Sequence, residues 1–333
     1  MQETAKINKP FTYNGNSFIK KYRYFIVSIL FFIFFIMLYK NTLVEKQINC
    51  NSTPIASIFY QPLLKDKMNW EKNFNKLKQA NIETLILQWS KFGVVDFIKD
   101  EEWLKEILSI ANKYDIKVIV GLYGDDKYFK TLENRKTDVE KYLNNLYTQN
   151  IQQAEKIYTI AQNYDSFNGY YIYDEIDDTN FEEKSRQKYL KNYLQKMAHT
   201  IKGISNHPIY LSGYFSKHMT PTEYSHMITD ITQEKYTLLL QSGIGAELVN
   251  SIESSQYMKT FSKEFKGSFI PIVEGFMFKN SKIQAIDLLR LKSQINLLKK
   301  ATNMQVLSLF SLRYFLDDKL FRPYILEYCH TKE

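Results

Sequence analysis

Cysteine, glycine and proline are all scarce in this chain, and each scarcity removes a class of explanation. The 333 residues hold two cysteines, Cys50 and Cys329. No CxxC or CxxH spacing can form from them, which excludes the usual zinc and dithiol redox motifs. Eleven Gly and seven Pro leave no low-complexity stretch and no long flexible linker. Arginine-rich runs and aromatic RNA-binding motifs are missing, and the lysines alternate with Glu and Asp along helix-like stretches. The formal charge of +8 therefore describes solvated faces, and nucleic acid is not an expected partner. Aromatic residues are plentiful instead, with 25 Tyr and 23 Phe. They serve either as packing or as platforms for sugar rings.

Near the N-terminus one run breaks the ordinary composition. Tyr24–Tyr39 reads YFIVSILFFIFFIMLY, without a charge. It is slightly short for a hydrocarbon core of roughly 30 Å. Flanking tyrosines at the interface, with Lys21, Arg23 and Lys40 reaching outward, extend it. Lys6, Lys9, Lys20, Lys21 and Arg23 precede the run, which predicts a cytoplasmic N-terminus and an exported body. No small-x-small site follows, so an uncleaved signal anchor is preferred to a cleaved signal peptide. The predicted layout is a cytoplasmic tail over 1–23, a transmembrane anchor over 24–39 and a juxtamembrane linker over 40–56. A barrel domain follows over 57–330. This makes a single-pass inner-membrane protein with its body in the periplasm or outside the cell.

The body alternates strand-like and helix-like segments. Near-continuous apolar runs predict strands at Ser57–Gln61, Thr84–Ser90, Lys117–Tyr123, Gly169–Glu175, Pro208–Phe215, Thr237–Gln241, Ser268–Phe276 and Val306–Tyr314. Amphipathic stretches separate them at Trp70–Ala80, Trp103–Tyr114, Val139–Tyr164, Phe181–Ile201, Leu248–Phe265 and Ile283–Leu298. This pattern specifies an α/β fold, a (β/α)8 barrel. A doubly wound open sheet is the alternative, but Gln61-Pro62 after the first strand is no phosphate-binding turn. Cys50 precedes the first strand and Cys329 lies in the last helix, so both fall at the N-terminal face of the barrel. In an exported domain they can form a disulfide that staples the ends.

In such a barrel the chemistry sits where the strands end. Those ends are polar, aromatic and rich in carboxylates, whereas the strand bodies are aliphatic. Glu175 ends the fourth strand and Glu274 the seventh, on opposite sides of the mouth. Glycoside hydrolysis needs such a pair, one carboxyl protonated at the leaving oxygen and one ionised across the sugar. Helix capping or pairing with Arg313 is the structural alternative. Tyr60, Trp89, Tyr123, Tyr173 and Tyr214 are candidate platforms, and Gln61, Gln88 and Gln241 repeat an amide around the mouth for hydroxyl groups. Asp125, Asp177 and Arg313 complete the predicted substrate-binding set, although Asp177 and Asp178 also suit an N-cap. Asp125, Glu175 and Asp177 would be the ligands of a hard cation if one were bound. No cofactor motif is present.

Taken in order, Phe59-Tyr60-Gln61-Pro62, Leu87-Gln88-Trp89-Ser90, Gly121-Leu122-Tyr123, Tyr171 to Asp177, Leu211 to Phe215, Leu240 to Gly245 and Val273 to Phe276 resemble domain-of-unknown-function family 4434. That family is a glycosidase-like barrel of bacterial envelope and secreted proteins. The resemblance implies a carbohydrate ligand. The two glutamates are similarly placed to those of the large glycosidase clan A, which implies acid/base work for Glu175 and a nucleophile in Glu274. One departure is visible: Asp174 stands where the clan carries Asn. The resulting expectation is a membrane-anchored glycoside hydrolase-like enzyme acting on an envelope or exported polysaccharide, alongside polysaccharide machinery. A non-catalytic saccharide-binding barrel and a metal-dependent hydrolase are the alternatives.

Overall fold

Eight parallel strands, each followed by a helix, close on themselves in the computed structural model, which describes residues 48–50, 53–279 and 282–331. The strands are β1 (Ile55–Tyr60), β2 (Thr84–Leu87), β3 (Lys117–Gly121), β4 (Phe167–Asp177), β5 (Ile209–Tyr214), β6 (Thr237–Gln241), β7 (Ser268–Glu274) and β8 (Leu307–Phe310). Hydrogen-bonded neighbours follow chain order, and β8 pairs with β1 to close the ring. The outer helices are α1 (Trp70–Gln79), α2 (Glu101–Tyr114), α3 (Val139–Ala161), α4 (Lys184–Ile204), α5 (Pro221–Thr232), α6 (Ser251–Glu264), α7 (Leu288–Thr302) and α8 (Asp318–Tyr328). Residues Asn49–His330 make up this unit.

The predicted tail and anchor, and the linker through residue 47, lie outside the described residues. Among the described residues no helix is long and apolar enough to cross a membrane.

Side-chain alternation explains how the barrel is filled. Phe59, Ile86, Ile119, Tyr171, Leu239 and Ile272 form one buried layer inside it. Successive side chains on a strand face opposite ways, so the residue two places on points inward one layer higher. From that apolar layer this rule raises Gln61, Gln88, Tyr173, Gln241 and Glu274 toward the mouth. The residues between them, such as Tyr60, Asp174 and Val273, turn toward the helices.

Strand β4 is the exception to regular pairing. Ile172 pairs with Leu211, and Ile176 with Gly213, so β4 carries surplus residues over Tyr173–Glu175. The bulge frees backbone carbonyls, and two buried tyrosines satisfy them. Tyr128 donates its hydroxyl to the Glu175 carbonyl at 3.0 Å, and Tyr224 to that of Ile176 at 2.8 Å.

Three segments differ from the sequence reading. Ile283 does not begin a helix: Phe276–Lys279 and Lys282–Ala285 pair as an antiparallel hairpin before α7 starts at Leu288. Its apolar side chain is half exposed and fits the spacing of the following helix, which misleads a periodicity argument. The eighth strand stops at Phe310, and Leu312–Phe315 is a helical turn, so Arg313 and Tyr314 are not strand-end residues. Helix α5 is absent from the predicted helices although its start signal is present: Thr220 and Glu223 form a reciprocal capping box, with Pro221 in the first turn.

At the N-terminal face Cys50 and Cys329 are joined in a disulfide spanning 279 positions of sequence. Closing so long a loop restricts the unfolded chain strongly. Cys50→Ser is expected to lower unfolding stability by about 2–5 kcal/mol. Denaturant midpoints of variant and parent, with and without reductant, measure this; equal midpoints would show that the bridge contributes nothing.

Candidate active site

Strand β6 ends between the two glutamates and holds one with each of two consecutive residues. Gln241 hydrogen-bonds the Glu175 carboxylate. Ser242 donates its hydroxyl to Glu274 Oε2 at 3.2 Å. The two carboxylates are near enough that the Glu274 charge disfavours ionisation of Glu175.

Glu175 is partly exposed at the mouth. Ser212 donates to its Oε1 at 3.4 Å, and Tyr171 exchanges a 2.6 Å hydrogen bond with Ser212 from below. Burial of the carboxyl group is the main influence on its acidity. The Gln241 and Ser212 hydrogen bonds oppose it, and the charges of Asp177 and Glu274 reinforce it. The balance pushes the Glu175 pKa up to about 7.

Glu274 is held differently. It is 1% exposed and enclosed by the loop after β6, Ser242–Ala246. Oε2 accepts the Gly245 backbone N–H, with those of Ala246 and Gly243 close by. Burial raises its pKa, and these N–H groups and Ser242 pull it back. Oε1 has no hydrogen-bond partner. The loop can lie this close only because residue 245 lacks a side chain: a Cβ there would sit 2.6 Å from the Phe276 carbonyl and 2.7 Å from Glu274 Cβ.

Asp174, adjacent to Glu175, turns out of the barrel. Its Oδ2 accepts from Asn150 Nδ2 at 3.1 Å and from the Tyr193 hydroxyl. Asn150 also accepts the Tyr123 backbone N–H at 3.0 Å. Burial pushes the Asp174 pKa up to about 7 against those two hydrogen bonds.

The remaining predicted site residues divide into two groups. Gln61, Gln88, Tyr173, Gln241 and Tyr214 gather at the mouth. The Gln88 Oε1 is buried there without a partner. Tyr214 lies near enough to Glu175 for that carboxylate to disfavour its ionisation.

Tyr60, Trp89, Tyr123, Asp125, Asp177 and Arg313 are committed elsewhere. Tyr60 points outward, packs edge-on against Trp70 and donates to Asp66 at 3.1 Å. Arg313 is fixed by the same Asp66, at 3.2 Å, and by the Gln61 carbonyl. Trp89 is 4% exposed; its indole N–H donates to the Pro62 carbonyl, and Phe92 stacks on its face at 4.4 Å. The Tyr123 ring lies under Lys91. Asp125 accepts from the Tyr142 hydroxyl at 2.6 Å. Asp177 is fully buried and accepts from Thr179 and Asn180 in its own turn. Asp178 holds the loop after β5 through Ser216, His218 and Met219. Asp125, Glu175 and Asp177 thus do not converge on one point. Among the described residues no group of three His, Cys, Asp or Glu is arranged to hold a metal ion.

Sequence reasoning missed the aromatics that do open on the mouth. Phe92 covers Trp89 and meets Tyr173 edge to face at 5.8 Å. Across the mouth Phe276 contacts Phe310 at 5.9 Å and Tyr314 at 5.8 Å. Phe92, Tyr173, Phe276, Phe310 and Tyr314 are all partly exposed. Inward alternation from Ser308 would have found Phe310. Nothing in the apolar pattern marks Phe92, which lies on a two-residue strand outside the barrel.

Known proteins share the fold. The family described as "Domain of unknown function (DUF4434)" matches residues 56–317. The uncharacterized protein YbcH of Escherichia coli (strain K12) is 26% identical over 214 residues, covering 62% of this chain and 71% of YbcH. Among solved structures, a provisionally assigned alpha-L-fucosidase from Bacteroides thetaiotaomicron is similar with a TM-score of 0.63 at 16% identity, over 84% of this chain and 97% of that one. A GH18 chitinase from Pseudoalteromonas aurantia is similar with a TM-score of 0.53 at 10% identity, over 80% and 97% of the respective chains. At such identities the likeness establishes the fold alone, a closed barrel of eight parallel strands.

Proposed function

The chain belongs to the DUF4434 family, whose description assigns no chemistry, and from that starting point we propose that it is a glycoside hydrolase-like enzyme. Its substrate in this reading is an envelope or exported polysaccharide, and the run at 24–39 anchors it to the membrane with the barrel outside the cytoplasm. One observation carries the catalytic reading: the end of β6 holds Glu175 and Glu274 together, in unlike environments.

Unlike environments suit unlike roles. Glu175, with its pKa near 7, keeps its proton in mildly acidic to neutral water and donates it to the glycosidic oxygen. Glu274 has backbone N–H groups on Oε2 and a free Oε1. It supplies the ionised carboxylate across the sugar. Phe92 and Tyr173 on one side, and Phe276, Phe310 and Tyr314 on the other, take the apolar faces of the sugar rings. Asp174 does not hold a sugar hydroxyl, because its carboxylate faces Asn150 and Tyr193.

The enclosure of Glu274 favours a second reading, a saccharide-binding barrel without turnover. One experiment separates the two. Purified full-length protein is incubated with bacterial envelope polysaccharides, and new reducing ends and bound glycan are both measured. Reducing ends released by the parent support hydrolysis; retention of glycan without new ends supports the binding module.

The loop around Glu274 gives a further expectation. Gly245→Ala must displace either the Phe276 backbone or Glu274 itself. A displacement of even 1 Å at a reacting group costs rate on the order of 100-fold. Turnover is expected to fall about that far, with a smaller change in KM. Unchanged kcat would show that the close approach of the loop is not needed.

A further inference from the structure

The face of the barrel opposite the mouth has an uneven charge distribution. In an all-parallel barrel every helix-to-strand loop lies on this N-terminal face. On the β2–β4 side Lys78 pairs with Asp115 and Lys113 with Glu71, while Lys117 donates to the Asp165 backbone carbonyl. On the β5–β8 side stand Lys202, Lys235, Lys263, Lys266, Lys299 and Lys300. None of these makes an ion pair among the described residues. Glu234 and Glu264 are the acidic residues nearest to them in sequence. Lysine at a helix C-terminus is ordinarily explained by the helix dipole. That accounts for Lys202, Lys263, Lys299 and Lys300 singly, but not for six lysines without an ion pair in one sector.

Two further features occur on the same face. Between the end of α4 and the loops before β5 and β6 lies an open cavity of ≈ 350 Å³, lined by His199, Lys202, Ser205, Asn206, His207 and Lys235 among others. It is large enough for a phosphate group and offers donors around it. Val306, just before β8, and Leu326, one turn before Cys329, leave large apolar side chains in water, 52% and 81% exposed. Cationic side chains with a few exposed apolar ones among them are what an interfacial membrane surface requires. The polypeptide also joins the barrel on this face, at Cys50.

We propose that the β5–β8 sector of the N-terminal face docks on an anionic bilayer surface, with lipid phosphate seated in the Lys202–Lys235 cavity. The proposal does not rest on the hydrolase reading. Each lysine near such a surface strengthens binding about 5-fold at low salt, and the effect decays over a Debye length of about 10 Å at 0.1 M.

The test uses the full chain reconstituted in vesicles of phosphatidylcholine alone or with phosphatidylglycerol. Both hold the same N-terminal segment, so a difference reports lipid charge. Amine-reactive labelling is read residue by residue. Labelling of Lys202, Lys235 and Lys266 is expected to fall several-fold on the anionic vesicles and to recover at high salt. Lys127 and Lys279, exposed on the mouth side, should not change. In the Lys202→Glu/Lys235→Glu variant the protection of Lys266 should be lost. Equal labelling on both vesicle types overturns the proposal, as does protection that survives the charge reversal. Protection by inorganic phosphate on phosphatidylcholine vesicles, with none from phosphatidylglycerol, also overturns it: the cavity would then bind a free anion and not a membrane.

Discussion

Glu175→Gln is expected to reduce kcat on unactivated glycans by about 10²–10⁴, the usual contribution of a positioned general acid. The amide keeps the volume and can still accept from Ser212, so the loss reports the proton and not the fold. Substrates with good leaving groups, such as aryl glycosides, should lose much less, because they need little protonation. The pH profile sharpens the test. An acid whose pKa is near 7 is protonated below that value and empties above it. Activity of the parent should therefore decline as pH rises through about 7, and that limb should be missing from the variant's profile. A Glu175→Gln protein with full activity on unactivated glycans rules out this role.

Glu274→Gln should be at least as damaging, with kcat lower by ~10³ or more whatever the leaving group, since the negative charge facing the sugar is gone. Stability separates lost chemistry from lost folding. Burial raises the Glu274 pKa in the folded state, so the folded protein keeps this proton at a pH where the unfolded chain has released it. The contribution is fully present below the unfolded pKa and is lost as pH rises through the folded one. The neutral amide removes that loss and can still accept the Gly245 N–H. At pH 8 the variant should therefore melt no lower than the parent. Wild-type turnover in a well-folded variant would leave Glu274 as the residue that only ties down its loop.

The barrel was legible because its physics is periodic. Parallel strands covered on both faces must be apolar nearly throughout, and the predicted runs mark β1 to β8 to within a few residues. The carboxylate pair is read from position alone: Glu175 closes the predicted fourth strand and Glu274 the seventh. Position at a strand end does not reveal which way a side chain points; alternation does. Tyr60 and Gln61 both end the first strand, yet only Gln61 continues the inward series from Phe59. Asp177 follows a bulge that resets the alternation, and a bulge leaves no clear mark in the sequence. Trp89 looked like a platform because it is large and near an end. Its face is taken by Phe92, a residue brought back over the barrel by a short excursion of the chain that no apolar period announces.

The bridge between Cys50 and Cys329 closes residues 50–329 into a covalent ring. The backbone runs around the barrel once and the disulfide closes it, so every mouth loop and the hairpin at 276–285 lies on one closed circuit. A protease that cuts a single exposed loop opens that circuit without releasing a fragment. The two new ends stay tethered through the sulfurs, and all eight strands remain one molecule. In any compartment where the disulfide persists, a nicked barrel of this kind keeps its parts together.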